Sequence, residues 1–125
     1  MTYEIVIEGR LPGLNEYINA ERSSKFAASC MKKNIEQMIV FSVPKAMRGM
    51  LIKHPVHIAY KWVEPDRRRD KSNIAWAKKF IEDALVKAKV LQNDGWKQIT
   101  GFSDEFEIGT PMVVVRITEI KETKN

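Results

Sequence analysis

Residues 65–95 decide how this chain folds. Pro65-Asp66-Arg67-Arg68-Arg69-Asp70-Lys71-Ser72-Asn73 opens the stretch, Ile74 to Val90 continues it, and Asn93-Asp94-Gly95 closes it. From Ile74 onward Ala77, Ile81, Ala84, Leu85 and Ala88 recur three or four apart, the apolar stripe of a helix, with Trp76 and Phe80 widening it to one side. Lys78, Lys79, Glu82, Lys87 and Lys89 fall mostly on the other flank. Asp94-Gly95 is a turn signal. One helix bracketed by two aspartates is therefore expected, with a strongly basic loop before the first.

Working outward, Val56 to Val63 alternates as a strand, with Val56, Ile58, Tyr60 and Trp62 on one face and His57, Ala59, Lys61 and Val63 on the other. Lys45 to His54 is a short irregular or helical connection. Upstream, a helix starts at Ser23 or Ser24, each an N-cap residue type, and ends at Pro44. Its expected inner face is Ala27, Cys30, Met31, Ile35, Met38 and Ile39. Tyr3 to Glu8 is a first strand, followed by a loop from Gly9 that continues through Tyr17 and Asn19 to Arg22. Downstream, Trp96 to Phe102 reads as a strand, Ser103 to Gly109 as a polar turn, and Met112 to Glu119 as a final strand. Lys121 to Asn125 is expected to fray.

The fold class expected is α+β: a single domain over residues 1–125, in the order β-α-β-α-β-β. Two helices pack on a four-stranded mixed sheet, and the last two strands form an antiparallel hairpin. The chain has 125 residues, enough for one real core. Its formal net charge of +5 favours polyanionic partners. A lone cysteine, Cys30, and only two histidines, His54 and His57, argue against a disulfide framework or a zinc site. Cys30 reads as a buried core thiol. No secretory leader and no membrane-spanning run are expected, and a reducing cytoplasm fits.

Phosphodiester cleavage needs a nucleophilic water, charge stabilisation at phosphorus and help for the leaving group. Mg²⁺ held by carboxylates supplies all three. Asp70 and Asp94 are candidate ligands, and Arg67, Arg68 and Arg69 are candidate phosphate clamps because guanidinium is a bidentate donor. Each also has a plain structural reading: Asp70 as a helix N-cap, Asp94 as a turn residue, the arginines as a solvated loop. A straight helix of some twenty residues would hold the two aspartates about 30 Å apart. They can approach only if the chain folds back after the helix, or across a dimer.

The run Pro65 to Asn73, the helix containing Lys79-Phe80-Ile81-Glu82-Asp83-Ala84-Leu85, and Asn93-Asp94 resemble the RusA-type Holliday junction resolvases. The opening strand followed by Leu11-Pro12-Gly13-Leu14-Asn15 is similar to that family's start. The resemblance implies a homodimer, for which Trp76 is an interface candidate. It also implies four-way junction DNA as substrate and paired Mg²⁺-dependent nicks. The family pattern is Asp-x-Asp-Asn, then a helix lysine, then a later aspartate. It assigns Asp70 and Asp94 as metal-binding and catalytic and Lys79 as catalytic with Lys78 as rival; beside it, Arg67, Arg68, Arg69, Lys71 and Asn73 are expected to bind DNA. Ser72 stands where the pattern has its second carboxylate. Mg²⁺ binding should be weaker for that reason, unless Asp66, Asp104 or Glu105 substitutes. The readings are a junction endonuclease impaired at position 72, a junction-binding protein that does not cut, and a basic adaptor that would leave Asp70, Asn73 and Asp94 unexplained.

Overall fold

The structure, a computed structural model, describes residues 1–120. The tail expected to fray lies outside the described residues. Strand β1 (Thr2–Glu8) leads into helices α1 (Leu14–Ser23) and α2 (Lys25–Ser42). After a 3₁₀ turn at Lys45–Met47 come β2 (Val56–Glu64), α3 (Lys71–Ala75), α4 (Lys78–Lys87), β3 (Ile99–Ile108) and β4 (Met112–Glu119). The strands form one mixed sheet in the order β1-β4-β2-β3. The class is α+β, as expected from the sequence.

One face of the sheet is buried. Ile5 and Ile7 of β1, Val113, Val115 and Ile117 of β4, and Val56, Ile58, Tyr60 and Trp62 of β2 all point into it. Ile35 and Ile39 of α2 and Phe80, Ile81, Ala84 and Leu85 of α4 close the core from above. Burying each such side chain contributes roughly 1.5–3 kcal/mol.

Four expectations need correction. The segment read as a loop from Gly9 to Arg22 becomes helical at Leu14. Helix α1 has no fully buried residue, its apolar Leu14, Tyr17 and Ile18 being only half-buried. It is held instead by Tyr17, which packs on Trp76 and Phe80 with ring centroids 5.0 and 5.7 Å away. The single helix expected from Ile74 is two. Around Trp76 and Ala77 the hydrogen bonds tighten, with Ala77 N–H donating to the Ile74 carbonyl and Lys79 N–H to that of Trp76. No Pro or Gly marks this break; Trp76 turns into the aromatic cluster and Ala77 is fully buried beneath it.

On α2, Ser24 is the N-cap, its Oγ accepting from the Ala27 N–H at 2.9 Å. The inward face is Ala28, Ile35 and Ile39; Cys30 is only half-buried and Met38 is exposed. Glu36, beside Ile35 on the helix, is buried and paired with Lys87 of α4 at 3.1 Å.

The last correction concerns β3. The supposed polar turn from Ser103 is its second half, and β3 does not pair with β4. It lies parallel to β2, while β4 lies antiparallel on the other side of β2. The link from Gly109 to Pro111 crosses the end of β2, and Gly109 N–H donates to the Glu64 carbonyl at 2.9 Å. A Cβ at Gly109 would sit 3.3 Å from Val63, so a side chain there crowds the crossing. From Ser103 to Ile108 every residue of β3 but the half-buried Phe106 is exposed, which is why its sequence is polar enough to read as a turn.

Candidate active site

The end of β2 fixes the basic loop. Glu64 is buried, and the Arg69 guanidinium donates to both its oxygens at 2.9 Å. Arg69 also donates to the Leu11 carbonyl at 3.0 Å, and Arg10 reaches Glu64 at 3.2 Å. Asp66 Oδ1 accepts from the Arg68 N–H at 3.0 Å, a tight local turn. With Arg69 turned inward, Arg67 and Arg68 stay exposed. The three arginines thus divide: Arg69 is an internal clamp whose donors are used, and the other two are available to a ligand.

Arg67, Asp70, Lys71 and Ser72 line a cleft of about 780 Å³, with Ile74 beneath and Phe106 and Ile108 of β3 opposite. Asp70 occupies the N-cap position of α3, yet its carboxylate makes no capping hydrogen bond. Lys71 Nζ lies 5.6 Å from the centre of the Phe106 ring. Asn73 is turned the other way. Its Oδ1 accepts from the Asn15 N–H at 3.0 Å and would lie 2.7 Å from any Cβ at Gly13, so it fastens α3 to the start of α1.

Asp94 is brought back along α4. The helix stops with Lys89 at a φ of 57° and with Val90 N–H bonded to the Leu85 carbonyl, a left-handed terminus. Val90 and Leu91 are buried, and Ile52 bridges Leu91 in parallel. The chain then returns to the first turn of α4, where Lys79 Nζ donates to Asp94 at 2.8 Å and pairs with Asp83 at 3.0 Å. The fold-back that the two aspartates require is therefore present. It joins Asp94 to Lys79, but Asp94 is not among the residues lining the Asp70 cleft.

Lys78 and Asp104 form a second pair, next to Trp62. Asp104 accepts from Trp62 Nε1 at 2.8 Å and from Lys78 at 2.7 Å. The rival lysines thus have different acids, Lys78 with Asp104 and Lys79 with Asp94. Glu82, read as a flank residue, accepts from the Tyr60 hydroxyl at 3.0 Å. Nothing in the helical pattern singles it out; only the position of Tyr60 on β2 does.

The electrostatics follow from these contacts. The hydrogen bond to Asp94, then that to Asp83, holds Lys79 above the usual lysine range. The same bond lowers Asp94. Burial raises Glu82, only partly offset by its bond from Tyr60. Burial, then the charge of Glu82, pushes the Tyr60 phenol far above the usual tyrosine range.

As for a metal, among the described residues no three His, Cys, Asp or Glu side chains form a ready cage. Mg²⁺ does not require one, since one or two carboxylates with waters and substrate oxygens suffice. Asp70 with Ser72 offers a carboxylate and a hydroxyl, which fits a weakly held, hydrated ion. Of the substitute acids, Asp66 is held in its turn with Arg68, and Asp104 by Lys78 and Trp62. Glu105 pairs in register with Lys61, on the opposite face of the sheet from Asp104.

A scan against protein-family models matches none, and a search of curated proteins returns no match.

Proposed function

We propose that this protein is a structure-specific DNA endonuclease of the junction-resolving kind, acting in the cytoplasm as a homodimer and impaired by Ser72. The observation that carries the reading is Asp70. An aspartate at an N-cap normally caps, whereas this one leaves its carboxylate uncommitted in a cleft beside Arg67, Lys71 and Ser72. The resemblance of residues 65–94 to junction resolvases adds the substrate class. Among the described residues no helix is long and apolar enough to cross a membrane.

In this reading Asp70 and Ser72 hold Mg²⁺, which when bound stabilises charge at the scissile phosphate and activates water. Arg67, Arg68 and Lys71 engage backbone phosphates. Lys79, kept protonated by Asp94 and Asp83, meets the charge that builds up in the transition state. Asp94 positions that ammonium. Two copies give two opposed nicks, as two-fold assemblies do.

A second reading, a junction-binding protein that does not cut, draws on Ser72 and on the lysines paired with Asp94 and Asp104. A gel assay on a four-way junction, a duplex and a single strand, with and without Mg²⁺, separates the two. Paired nicks in the junction support the first reading; metal-independent retention without nicks supports the second. Absence of DNA binding removes both.

A further inference from the structure

Strand β3 carries two aromatic side chains, Phe102 and Phe106, on either side of Asp104. In register, Phe102, Asp104 and Phe106 stand beside Ile58, Tyr60 and Trp62, so they project to the side of the sheet that carries the helices. The helices leave Phe102 53% exposed, and Phe106 is half-buried against the core. A lysine sits over each ring instead, Lys78 Nζ 3.9 Å from the centre of Phe102 and Lys71 Nζ 5.6 Å from that of Phe106. Where the chain enters β3, Trp96 is 98% exposed and Lys97 follows it. Where β3 ends, the Asp70 cleft and Arg67 begin.

Aromatic rings at intervals along an open sheet edge, each beneath a lysine that a phosphate can draw aside, suit a ligand with flat rings on an anionic backbone. Duplex DNA keeps its rings stacked inside, so only unpaired bases can use this surface. Strand β3 is about 33 Å long at its ten residues. That is room for several unpaired nucleotides in a row.

We propose that the helix-side face of β3, with Trp96 at its start, is a stacking track for single-stranded DNA. The inference shares its DNA ligand with the function proposed above and rests on it to that extent, but it requires neither cleavage nor metal. It makes Phe102, Phe106 and Trp96 determinants of a preference for DNA with open bases.

The test uses the full chain in Mg²⁺-free buffer with a labelled oligo-dT and, separately, a four-way junction. Wild type is expected to bind oligo-dT with quenching of tryptophan fluorescence. Trp62 is buried and Trp76 half-buried, so the quench reports Trp96 and should vanish in Trp96→Phe. The Phe102→Ala, Phe106→Ala double variant should bind oligo-dT roughly ten- to a hundredfold more weakly, and Phe102→Trp should bind as well as wild type. Trp96→Ala, which truncates a side chain in open solvent, should also weaken binding and serves if the double variant unfolds. Unchanged oligo-dT affinity in folded Phe102→Ala, Phe106→Ala or in Trp96→Ala overturns the track, as does wild type that ignores oligo-dT. If wild type ignores oligo-dT but holds the junction, only this inference falls. If it binds oligo-dT through these rings but not the junction, the junction reading falls and the track stands.

Discussion

Arg69 holds both carboxylate oxygens of Glu64 at 2.9 Å, and both side chains are nearly out of solvent. This ion pair is structural. It closes the end of β2, reaches the Leu11 carbonyl, and sets the direction in which the rest of the basic loop leaves the protein. Removing one partner of a buried pair strands the other charge, which typically costs 3–5 kcal/mol. Arg10 remains beside Glu64 and offsets part of that. Arg69→Ala should therefore destabilise the fold by about 3 kcal/mol, read as a lower denaturant midpoint.

The neighbouring arginines should behave oppositely. Arg67 and Arg68 are exposed, and Arg68 has only a long contact of 3.6 Å to Asp66. Replacing both by Ala should change stability by no more than about 0.5 kcal/mol. If each meets a phosphate, the salt dependence of junction binding should flatten by about 2 in the log–log slope. An unchanged slope removes them from the interface.

Glu82 is a carboxylate raised above the ordinary 4.5 because it is partly buried and only partly compensated by Tyr60. A raised carboxyl favours the folded state while protonated. Its contribution is complete below the unfolded value and is lost as pH rises through the folded value. Glu82→Gln keeps an acceptor for the Tyr60 hydroxyl and cannot ionise. Thermal melts should show the variant more stable than wild type at pH 7, with the difference vanishing toward pH 4. Equal melting temperatures at both pH values would sink this account.

Lys89 ends α4 in a conformation that L-residues avoid, at a φ of 57°. Glycine adopts it without steric cost. Lys89→Gly should stabilise the protein by about 1 kcal/mol, measured by chemical denaturation. A loss of stability would mean that the lysine side chain contributes more than its backbone costs.

The sheet's buried face was legible in the sequence because two-residue alternation survives wherever one face meets the core: Val56, Ile58, Tyr60 and Trp62 are all buried as read. Helix α1 was not, because it buries no residue fully and is held by contacts of Tyr17 and Asn15 with a distant part of the chain. The second half of β3 was hidden by its polarity at an open edge. Of the candidate site, Asp70 and Asp94 were visible as acids bracketing a helix and Lys79 only through the resemblance; that Lys79 meets Asp94 depends on the fold-back after α4. The inward turn of Arg69 and the use of Asn73 as a brace depend on Glu64 and Gly13, whose positions only the tertiary fold supplies.

Position 72 gives the sharpest comparison. Ser72 lines the cleft two residues from Asp70, and both are exposed. A serine hydroxyl is a neutral and weak ligand for a hard cation, whereas a carboxylate supplies both charge and oxygen. Ser72→Asp should lower the Mg²⁺ concentration needed for half-maximal cutting of a four-way junction and raise the rate at saturation. Because residue 72 lies in the first turn of α3, the added negative charge also suits the helix start and should not destabilise it. Asp70→Asn in that background should abolish cutting while leaving junction retention intact, and should leave the melting temperature nearly unchanged because Asp70 makes no capping bond. If wild type and Ser72→Asp cut equally fast at saturating Mg²⁺, residue 72 is not a ligand position and another acid completes the shell. Asp66 and Asp104 are then the candidates: Asp66 lines the same cleft, and Asp104 is partly released by breaking its bond to Lys78, which Lys78→Met would test. If neither protein cuts while both retain the junction, the chain binds junctions without resolving them.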